Sequence, residues 1–174
     1  MELLNTMLHR RSVRQYTDEP VSKEQLDVII NAGVSGATGK GLKPVELLVV
    51  TNRDMLNKLS RSRAMGAAML EGAGAAIIAL GDEDITDTWI EDSSIAMTNM
   101  HLMADALGLG SCWIQGRMRM ADENITTEDY IRELFIIPKN LRVEAILSIG
   151  NIDKHPEART VEGLLKNKVH YETM

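Results

Sequence analysis

The chain has 174 residues, of which 44% are hydrophobic and 25% charged, a composition typical of one folded domain and not of a disordered segment. A net charge of −6 and an aromatic content of 3% argue against nucleic-acid binding, which needs a basic face and stacking side chains. The single cysteine cannot form an intrachain disulfide, and no stretch is apolar for long enough to cross a membrane. We therefore expect one cytoplasmic domain over residues 1–174, without nucleic-acid or membrane partners.

The first half of the chain predicts short helices and strands. Ser22 and Gln25 form a capping-box pattern, which opens a helix with an apolar face that includes Leu26 and Ile29. Four glycines between residues 33 and 41 predict a loop, because glycine weakens any regular element. The other predicted elements are a helix over 2–8, a strand over 45–50, a helix opened by Asn52 and a strand over 75–80.

The second half is dominated by a long predicted helix from about residue 87 to residue 107. No formal charge occurs between Ser93 and Ala104, so we expect protein on both faces of this helix. A strand over 111–115, a helix opened by Thr126 or Thr127, and a strand over 143–149 follow it. The order of elements indicates an α+β fold. The polar tail over 151–174 has too few apolar residues for a core of its own and must lie on another surface.

A basic segment follows the first predicted helix in this otherwise acidic chain. Three arginines and a histidine fall within six residues, and the hydroxyl of Ser12 lies among them. The planar guanidinium group binds phosphate through paired hydrogen bonds, which favours an anion site. Cations also offset the helix dipole at a helix C-terminus, so a solvated basic turn fits the same spacing. The spacing leaves both interpretations open.

Two glycine-containing segments fail as nucleotide-binding motifs. Gly39-Lys40 has Val34 where a P-loop needs glycine, and Gly41 where it needs Ser or Thr. The segment that begins at Gly108 has Trp113 in place of the last glycine of a dinucleotide-binding fingerprint. Both segments also follow a helix, whereas these motifs follow a strand. The sequence therefore predicts neither a P-loop nor a Rossmann fold.

No metal site or reactive cysteine is predicted. The histidines, at positions 9, 101, 155 and 170, are scattered and lack the spacing of metal ligands. His101 and Asp105 are one helical turn apart and are interpreted as a buried, hydrogen-bonded polar pair. Cys112 has no basic neighbour before Arg117 along the strand, which favours a structural thiol.

Four segments, taken in order, resemble the nitroreductase family of FMN-dependent oxidoreductases. Residues 10–16 (Arg-Arg-Ser-Val-Arg-Gln-Tyr) are similar to the family's Arg-Arg-Ser-x-Arg-x-Phe/Tyr signature, and residues 38–44 to its Ser-Gly-x-Asn-x-Gln-Pro loop. Residues 92–116 resemble the central helix and Gly-Leu-Gly turn, and residues 137–170 its C-terminal pattern. The resemblance implies a sandwich in which helices flank a small mixed or antiparallel sheet around a long buried central helix. It also implies a domain-swapped homodimer, in which residues 151–174 form an arm that embraces the partner subunit.

The resemblance also implies the residues of an FMN site. Arg10, Arg11 and Ser12 match the residues that bind the phosphate and ribityl chain, and Arg159 matches a basic residue that closes on the phosphate. Arg14 matches a cation beside the pyrimidine side of the ring, where negative charge develops on reduction.

Two further segments are implied to contact the flavin ring. Ile114, Gln115 and Gly116 match the turn beside the ring, where a backbone N–H, that of Gln115, faces N5. The loop with Thr38, Gly39 and Lys43 matches one that reaches the flavin from the partner subunit. Gly41 and Lys43 stand where the family has Asn and Gln, which removes two side-chain amides and adds a positive charge. No insertion between residues 116 and 126 is long enough to form a flap, so we expect an open, poorly selective pocket.

The implied activity is a two-step redox reaction without a catalytic side chain. NAD(P)H delivers a hydride to flavin N5 and leaves, and a nitroaromatic, quinone or similar electrophilic acceptor then enters the same space. Three alternatives stay open at this point: a flavin-binding protein without activity, another flavin reaction such as reductive dehalogenation or flavin breakdown, and an interaction module that uses residues 10–14 to hold an acidic partner.

Overall fold

The computed structural model describes residues 2–164 and 168–174. Its helices are α1 (Glu2–His9), α2 (Lys23–Val34), α3 (Arg53–Leu59), α4 (Trp89–Ala106) and α5 (Thr127–Phe135). Its strands are β1 (Val45–Val50), β2 (Ala75–Asp82), β3 (Gly110–Gln115) and β4 (Leu141–Gly150), with short 3-10 turns at Gly39–Gly41 and Ala68–Glu71. The predicted helices and strands are all present. The predicted capping box at Ser22 and caps at Asn52 and Thr126 also form.

The strands form one antiparallel sheet in the order β1-β2-β4-β3. Its centre is the long pairing of β2 with β4, which runs from Ala75 opposite Ile149 to Asp82 opposite Leu141. The strand β3 is an edge strand of this sheet, and Ser12 forms a parallel bridge with Ser111 at its beginning. The sheet places the end of α1 beside the start of β3.

Helices cover both faces of the sheet, which confirms the predicted α+β sandwich. Side chains alternate between the two faces of a strand. Ile78 of β2 therefore joins a core with Leu56 of α3 and Ile131 of α5, whereas the neighbouring Ile77 joins a core with Ile29 of α2 and Met97 of α4. None of these side chains is exposed to solvent.

The predicted loop over 33–41 is wrong at its first residues, because α2 continues to Val34. Gly33 lies in the last turn of α2 and is buried. A Cβ atom at this position would lie 2.8 Å from Cγ of Met100 on α4, so glycine allows the two helices to approach closely. Packing against α4 therefore outweighs the cost of a glycine in a helix.

The helix α4 is buried on its inner face only. Met97 and Met100 are fully buried there, whereas Ile95 on the outer face is 38% exposed. The expected protein cover on both faces is thus incomplete within one chain. Among the described residues, no helix is long and apolar enough to cross a membrane.

The C-terminal arm begins by packing on its own chain. The side-chain amide of Asn151 donates to the carbonyl oxygens of Glu19 at 3.1 Å and Pro20 at 3.0 Å. The backbone N–H of Arg159 donates to the carbonyl of Leu8 over 2.9 Å. Beyond Arg159 the described residues of the arm are exposed, and residues 165–167 lie outside the described residues. The embrace of a partner subunit stays a prediction.

Candidate functional site

The basic segment is held between the end of α1 and the start of β3. The N–H of Arg10 still donates to the carbonyl of Thr6 over 2.9 Å, as in a helix. Two residues later the chain is extended, and the N–H of Val13 donates to the carbonyl of Ser111 over 2.9 Å. The change from helical to extended backbone carries the segment from the C-terminal end of α1 along the edge of β3.

The partly buried Arg10 forms a hydrogen-bonded chain with the buried residues His101 and Ser111. Nη1 of Arg10 lies 2.7 Å from Nε2 of His101, and Nδ1 of His101 lies 2.6 Å from Oγ of Ser111. Burial, followed by the charge of Arg10, lowers the pKa of His101 to about 4, so this imidazole is neutral near pH 7. Nε2 then accepts from Arg10, and Nδ1–H donates to Ser111. His101 is thus a satisfied buried histidine, as predicted, but its hydrogen-bond partners are Arg10 and Ser111 and not Asp105.

Two more guanidinium groups lie near Arg10. Burial lowers the pKa of Arg10, and the positive charges of Arg159 and Arg11 lower it further, while Asp105 opposes them. Arg11 donates to the backbone carbonyl of Glu157, which brings it to the same part of the arm as Arg159. The structure therefore gathers three of the predicted phosphate ligands. Because these positive groups repel one another, a bound anion would be stabilised beside them.

Beyond Ser111, the edge strand β3 has backbone N–H groups without a partner among the residues that the structure describes. The N–H of Gly116 donates to the carbonyl of Glu144 on β4 over 3.0 Å. Hydrogen-bonded and non-hydrogen-bonded pairs alternate along an antiparallel ladder. The backbone N–H of Ile114, two residues before Gly116, therefore also points to β4, whereas the N–H groups of Trp113 and Gln115 point to the free edge of the sheet. The predicted edge donor, Gln115, is thus available. By contrast, the side chain of Ile114 is buried in the core.

A buried carboxyl group fixes the end of β3. Nε1 of Trp113 donates to Oε1 of Gln115 over 2.9 Å, and Nε2 of Gln115 lies 3.3 Å from both the carbonyl and Oε1 of Glu144. Glu144 is 4% exposed, and its Oε2 has no hydrogen-bond partner among the described residues. Burial raises the pKa of this carboxyl group. Sequence reasoning missed Glu144, although an acidic residue inside an otherwise apolar strand was the available signal.

The loop over 38–43 lies at the other end of α4. The N–H of Gly39 donates to Oδ1 of Asp92 over 2.9 Å, and the N–H of Lys43 donates to Oγ1 of Thr38 over 3.2 Å. Asp92 and His101 are separated by about 14 Å along α4, at 1.5 Å per residue. Within one chain, the loop over 38–43 therefore lies away from the arginine cluster, which consists of Arg10, Arg11 and Arg159.

Basic residues from outside β3 lie near the thiol of Cys112. Arg14 and Arg10 lower the pKa of this thiol, as does the side chain of Ser12, but burial is the larger influence and raises it. The expectation that no basic residue lies near Cys112 is therefore wrong, because the tertiary structure brings Arg14 beside it. A raised pKa agrees with a structural thiol.

Two of the histidines meet at one carboxylate. Nδ1 of His9 lies 2.8 Å from Oδ2 of Asp105, and Nε2 of His155 lies 2.9 Å from Oδ1 of the same residue. The imidazole rings are stacked with centroids 3.8 Å apart. The expectation that the histidines are scattered is wrong for these two, because α1, α4 and the arm converge here.

Comparison with known proteins identifies the family. The model of the nitroreductase family matches residues 7–68 and 56–151. This chain belongs to the nitroreductase family. A protein of Methanothermobacter thermautotrophicus, provisionally named an NADH dehydrogenase/NAD(P)H nitroreductase, is 35% identical over 91% of this chain and 82% of its own length.

Further relatives agree with this assignment. An NADPH-flavin oxidoreductase of Vibrio harveyi is 28% identical over 90% of this chain and 68% of its own length. The solved structure of an FMN-dependent nitroreductase from Clostridium difficile superimposes with a TM-score of 0.95 and 41% identity, covering 98% of this chain and 99% of that one. The family and fold expected from the sequence are confirmed, and the names of the relatives agree with the expected class, an FMN-dependent oxidoreductase that uses NAD(P)H.

Proposed function

We propose that this nitroreductase-family chain is an oxidoreductase that binds FMN and transfers a hydride from NAD(P)H to a nitroaromatic, quinone or similar electrophilic acceptor. The observation that carries the proposal is the cluster of Arg10, Arg11 and Arg159 at one end of the edge strand β3, whose outward N–H groups have no partner in the described part of the chain. The relatives named FMN-dependent nitroreductase and FMN reductase support it. When bound, FMN supplies the ring that accepts and passes on the hydride, in two steps that use the same space.

The arginine cluster fits the phosphate end of such a cofactor. Burial and the neighbouring Arg159 lower the pKa of Arg10 more than Asp105 raises it, so the positive charge of Arg10 is only partly balanced. A phosphate group would relieve this repulsion through charge-assisted hydrogen bonds to Arg10, Arg11 and Arg159. Ser12, at the bridge to β3, would add a neutral donor.

The end of β3 at Gln115 fits the flavin ring. Gln115 is four residues beyond Ser111, or about 13 Å at 3.3 Å per residue, which leaves room for a ribityl chain between the two ends. The N–H of Gln115 would donate to a ring nitrogen, and Gly116 lies at the same turn. Arg14, near Cys112, would stabilise negative charge on the pyrimidine side. These residues bind and orient, so no protein acid or base is required.

A homodimer is part of the proposal. A groove between α1, α2 and α4 has an apolar lining that includes Leu3, Ala32, Leu102 and Met103, and Leu3 is 64% exposed. A second copy that covers this groove would complete the cover of α4. In such a dimer, the loop with Thr38, Gly39 and Lys43 would reach the flavin of the partner subunit. Sedimentation that shows a stable, flavin-loaded monomer would contradict this part of the proposal.

The visible spectrum of the purified protein, before and after NADH or NADPH is added, tests the function. We expect flavin absorption bands that bleach within milliseconds to seconds in a stopped-flow instrument and return when an electrophilic acceptor is mixed in. A yellow protein whose bands persist with both nicotinamides would instead be a flavin-sequestering protein. A colourless protein that does not take up added FMN would indicate an interaction module.

A further inference from the structure

A β-bulge in β4 lies beside the end of β3. On β2, Ala79 lies opposite Ala145 of β4. The next residue of β2, Leu80, lies opposite Val143, so Glu144 is the extra residue of the bulge. Bulges are common next to active sites, where they redirect a side chain. The direction of the Glu144 side chain is therefore set by the bulge.

The bulge turns the carboxyl group of Glu144 towards α4. Val143 and Ile146 both join the core formed with α3 and α5, although residues three positions apart in a regular strand point to opposite faces. The two residues between them therefore both point to the other face, where Ala145 joins the core formed with α2 and α4. Gln115 lies opposite Ala145 in the neighbouring ladder, so its side chain is on this face too. Without the bulge, Glu144 would point away from Gln115.

Glu144 holds both the backbone and the side chain around Gln115. The indole N–H of Trp113 only donates, so the atom of Gln115 that it meets over 2.9 Å is the oxygen Oε1. The amide nitrogen Nε2 of Gln115 is left to donate to Glu144, and it lies 3.3 Å from both Oε1 and the backbone carbonyl oxygen of that residue. The same carbonyl oxygen accepts from the N–H of Gly116 over 3.0 Å. The peptide group that follows Gln115 and the Gln115 side chain are thus fixed by one residue.

We propose that Glu144 is a positioning residue for hydride transfer: the bulge aims its carboxyl group at Gln115, and this contact sets the direction of the Gln115 N–H towards N5 of the flavin. The inference rests on the proposed function, because it concerns the same ring site. The contact uses Oε1 only, whereas Oε2 has no hydrogen-bond partner within residues 2–164 and 168–174. A glutamine at position 144 would make the same contact, so the acidic group adds a charge and not a further hydrogen bond.

The charge of Glu144 gives the carboxyl group a second effect on a bound flavin. Burial raises its pKa, and Glu91 of α4 raises it further. Gln115, the side chain of Ser94 on α4 and the positive charge of Arg117 after β3 lower it, and the residues of β2 opposite the bulge are apolar. When the carboxyl group ionises, its negative charge would oppose the negative charge that the ring gains on reduction. The bound flavin should therefore be easier to reduce below this raised pKa than above it.

The test uses the full chain loaded with FMN that carries ¹⁵N at N5, because the NMR chemical shift of this atom reports its hydrogen bond. Glu144→Ala removes the acceptor for Gln115. This variant should move the N5 signal and should slow flavin reduction by a saturating nicotinamide donor, by up to about a hundredfold for a misplaced reacting group. Glu144→Gln keeps the shape and the acceptor, so it should restore both towards the wild type.

The reduction potential of the bound flavin, measured across pH, tests the charge. The potential should fall more steeply with pH in the wild type than in Glu144→Gln, which cannot ionise. Glu46→Gln removes an exposed carboxyl group on β1 and is the matched control. This control should keep the N5 signal, the rate and the pH dependence of the wild type.

The inference is overturned if the N5 signal of folded, flavin-loaded Glu144→Ala coincides with that of the wild type, or if the potential of Glu144→Gln follows the wild-type pH dependence. A cooperative thermal transition checks that each variant folds. If Glu144→Ala does not fold, the comparison of potentials between Glu144→Gln and the wild type decides. A wild-type chain that takes up no FMN contradicts the proposed function together with this inference, whereas a flavin-loaded chain with an unchanged N5 signal contradicts only the role of Glu144.

Discussion

The guanidinium group of Arg10 donates to Nε2 of His101 over 2.7 Å, although the two residues are 91 positions apart in the sequence. The hydrogen bond requires a neutral imidazole, because a protonated Nε2 has no lone pair to offer. Protonation of His101 would therefore break this contact and place a buried positive charge beside Arg10. The position of Arg10 in the candidate site thus depends on the protonation state of His101 in α4.

Stability should decrease in acid because of His101. Its pKa is lowered from an ordinary value of 6.5 to about 4, so the unfolded chain binds the proton more readily than the folded chain between these values. The contribution of His101 to the free energy of unfolding is complete above pH 6.5. It is lost as the pH falls towards 4, by up to about 1.4 kcal/mol per pH unit. Urea unfolding at several pH values measures it. The His101→Gln variant should lose less unfolding free energy between pH 6.5 and pH 4 than the wild type. If the free energy of unfolding fell equally steeply with pH in both proteins, His101 would not be the group responsible.

Replacing Arg10 with alanine should weaken FMN binding by about 1–3 kcal/mol, the magnitude of a lost hydrogen bond to a charged group. The remaining cations, Arg11 and Arg159, would hold the phosphate less well. The measurement is fluorescence titration of the flavin-free protein with FMN, together with flavin retention on dialysis. Arg61→Ala removes an exposed arginine outside the cluster and serves as the matched control. Full flavin occupancy in the Arg10 variant after dialysis would place the phosphate elsewhere.

Replacing Glu144 with glutamine should stabilise the protein at neutral and alkaline pH. Burial raises the pKa of this carboxyl group, and its Oε2 has no hydrogen-bond partner within the described ranges, so the charged form is costly in the folded state. We expect a gain on the order of 1 kcal/mol, the low end of the cost of an unsatisfied buried group. The gain should grow as the pH rises through the raised pKa and shrink in acid, which thermal melts across pH can follow. A gain that is independent of pH would contradict a charge effect.

Replacing Gly33 with alanine should destabilise the fold, although alanine is the better helix former. The new Cβ atom would lie 2.8 Å from Cγ of Met100 and 3.2 Å from Cδ1 of Leu47. Overpacking costs about 1–3 kcal/mol, and alanine returns about 1 kcal/mol of helix propensity, so we expect a net loss of up to about 2 kcal/mol in the free energy of unfolding. Chemical denaturation measures this loss. Gly72→Ala meets no atom within 4 Å and should be nearly neutral; if both variants behaved alike, the close approach of α2 and α4 would not be limiting.

Local patterns predicted the elements well, because caps and hydrophobic periodicity act within a few residues. Ser22 accepts from the N–H of Gln25, as its capping-box pattern indicates. The end of α2 was mispredicted because the contact that makes Gly33 acceptable comes from Met100, 67 positions away along the chain. The family resemblance, carried by short motifs in a fixed order, indicated the fold and the candidate arginines.

The sequence by itself determined the α+β class, the positions of the helices and strands, the family and the identity of the basic segment, since each is encoded in residues close together along the chain. Only the tertiary structure decided which groups meet. It placed Arg159 beside Arg10, turned the N–H of Gln115 to the free edge, buried Glu144 beneath it and joined His9 to His155 through Asp105. The physical reason is that contacts between distant segments depend on how the sheet is ordered and how the helices pack on it, and no local spacing records either.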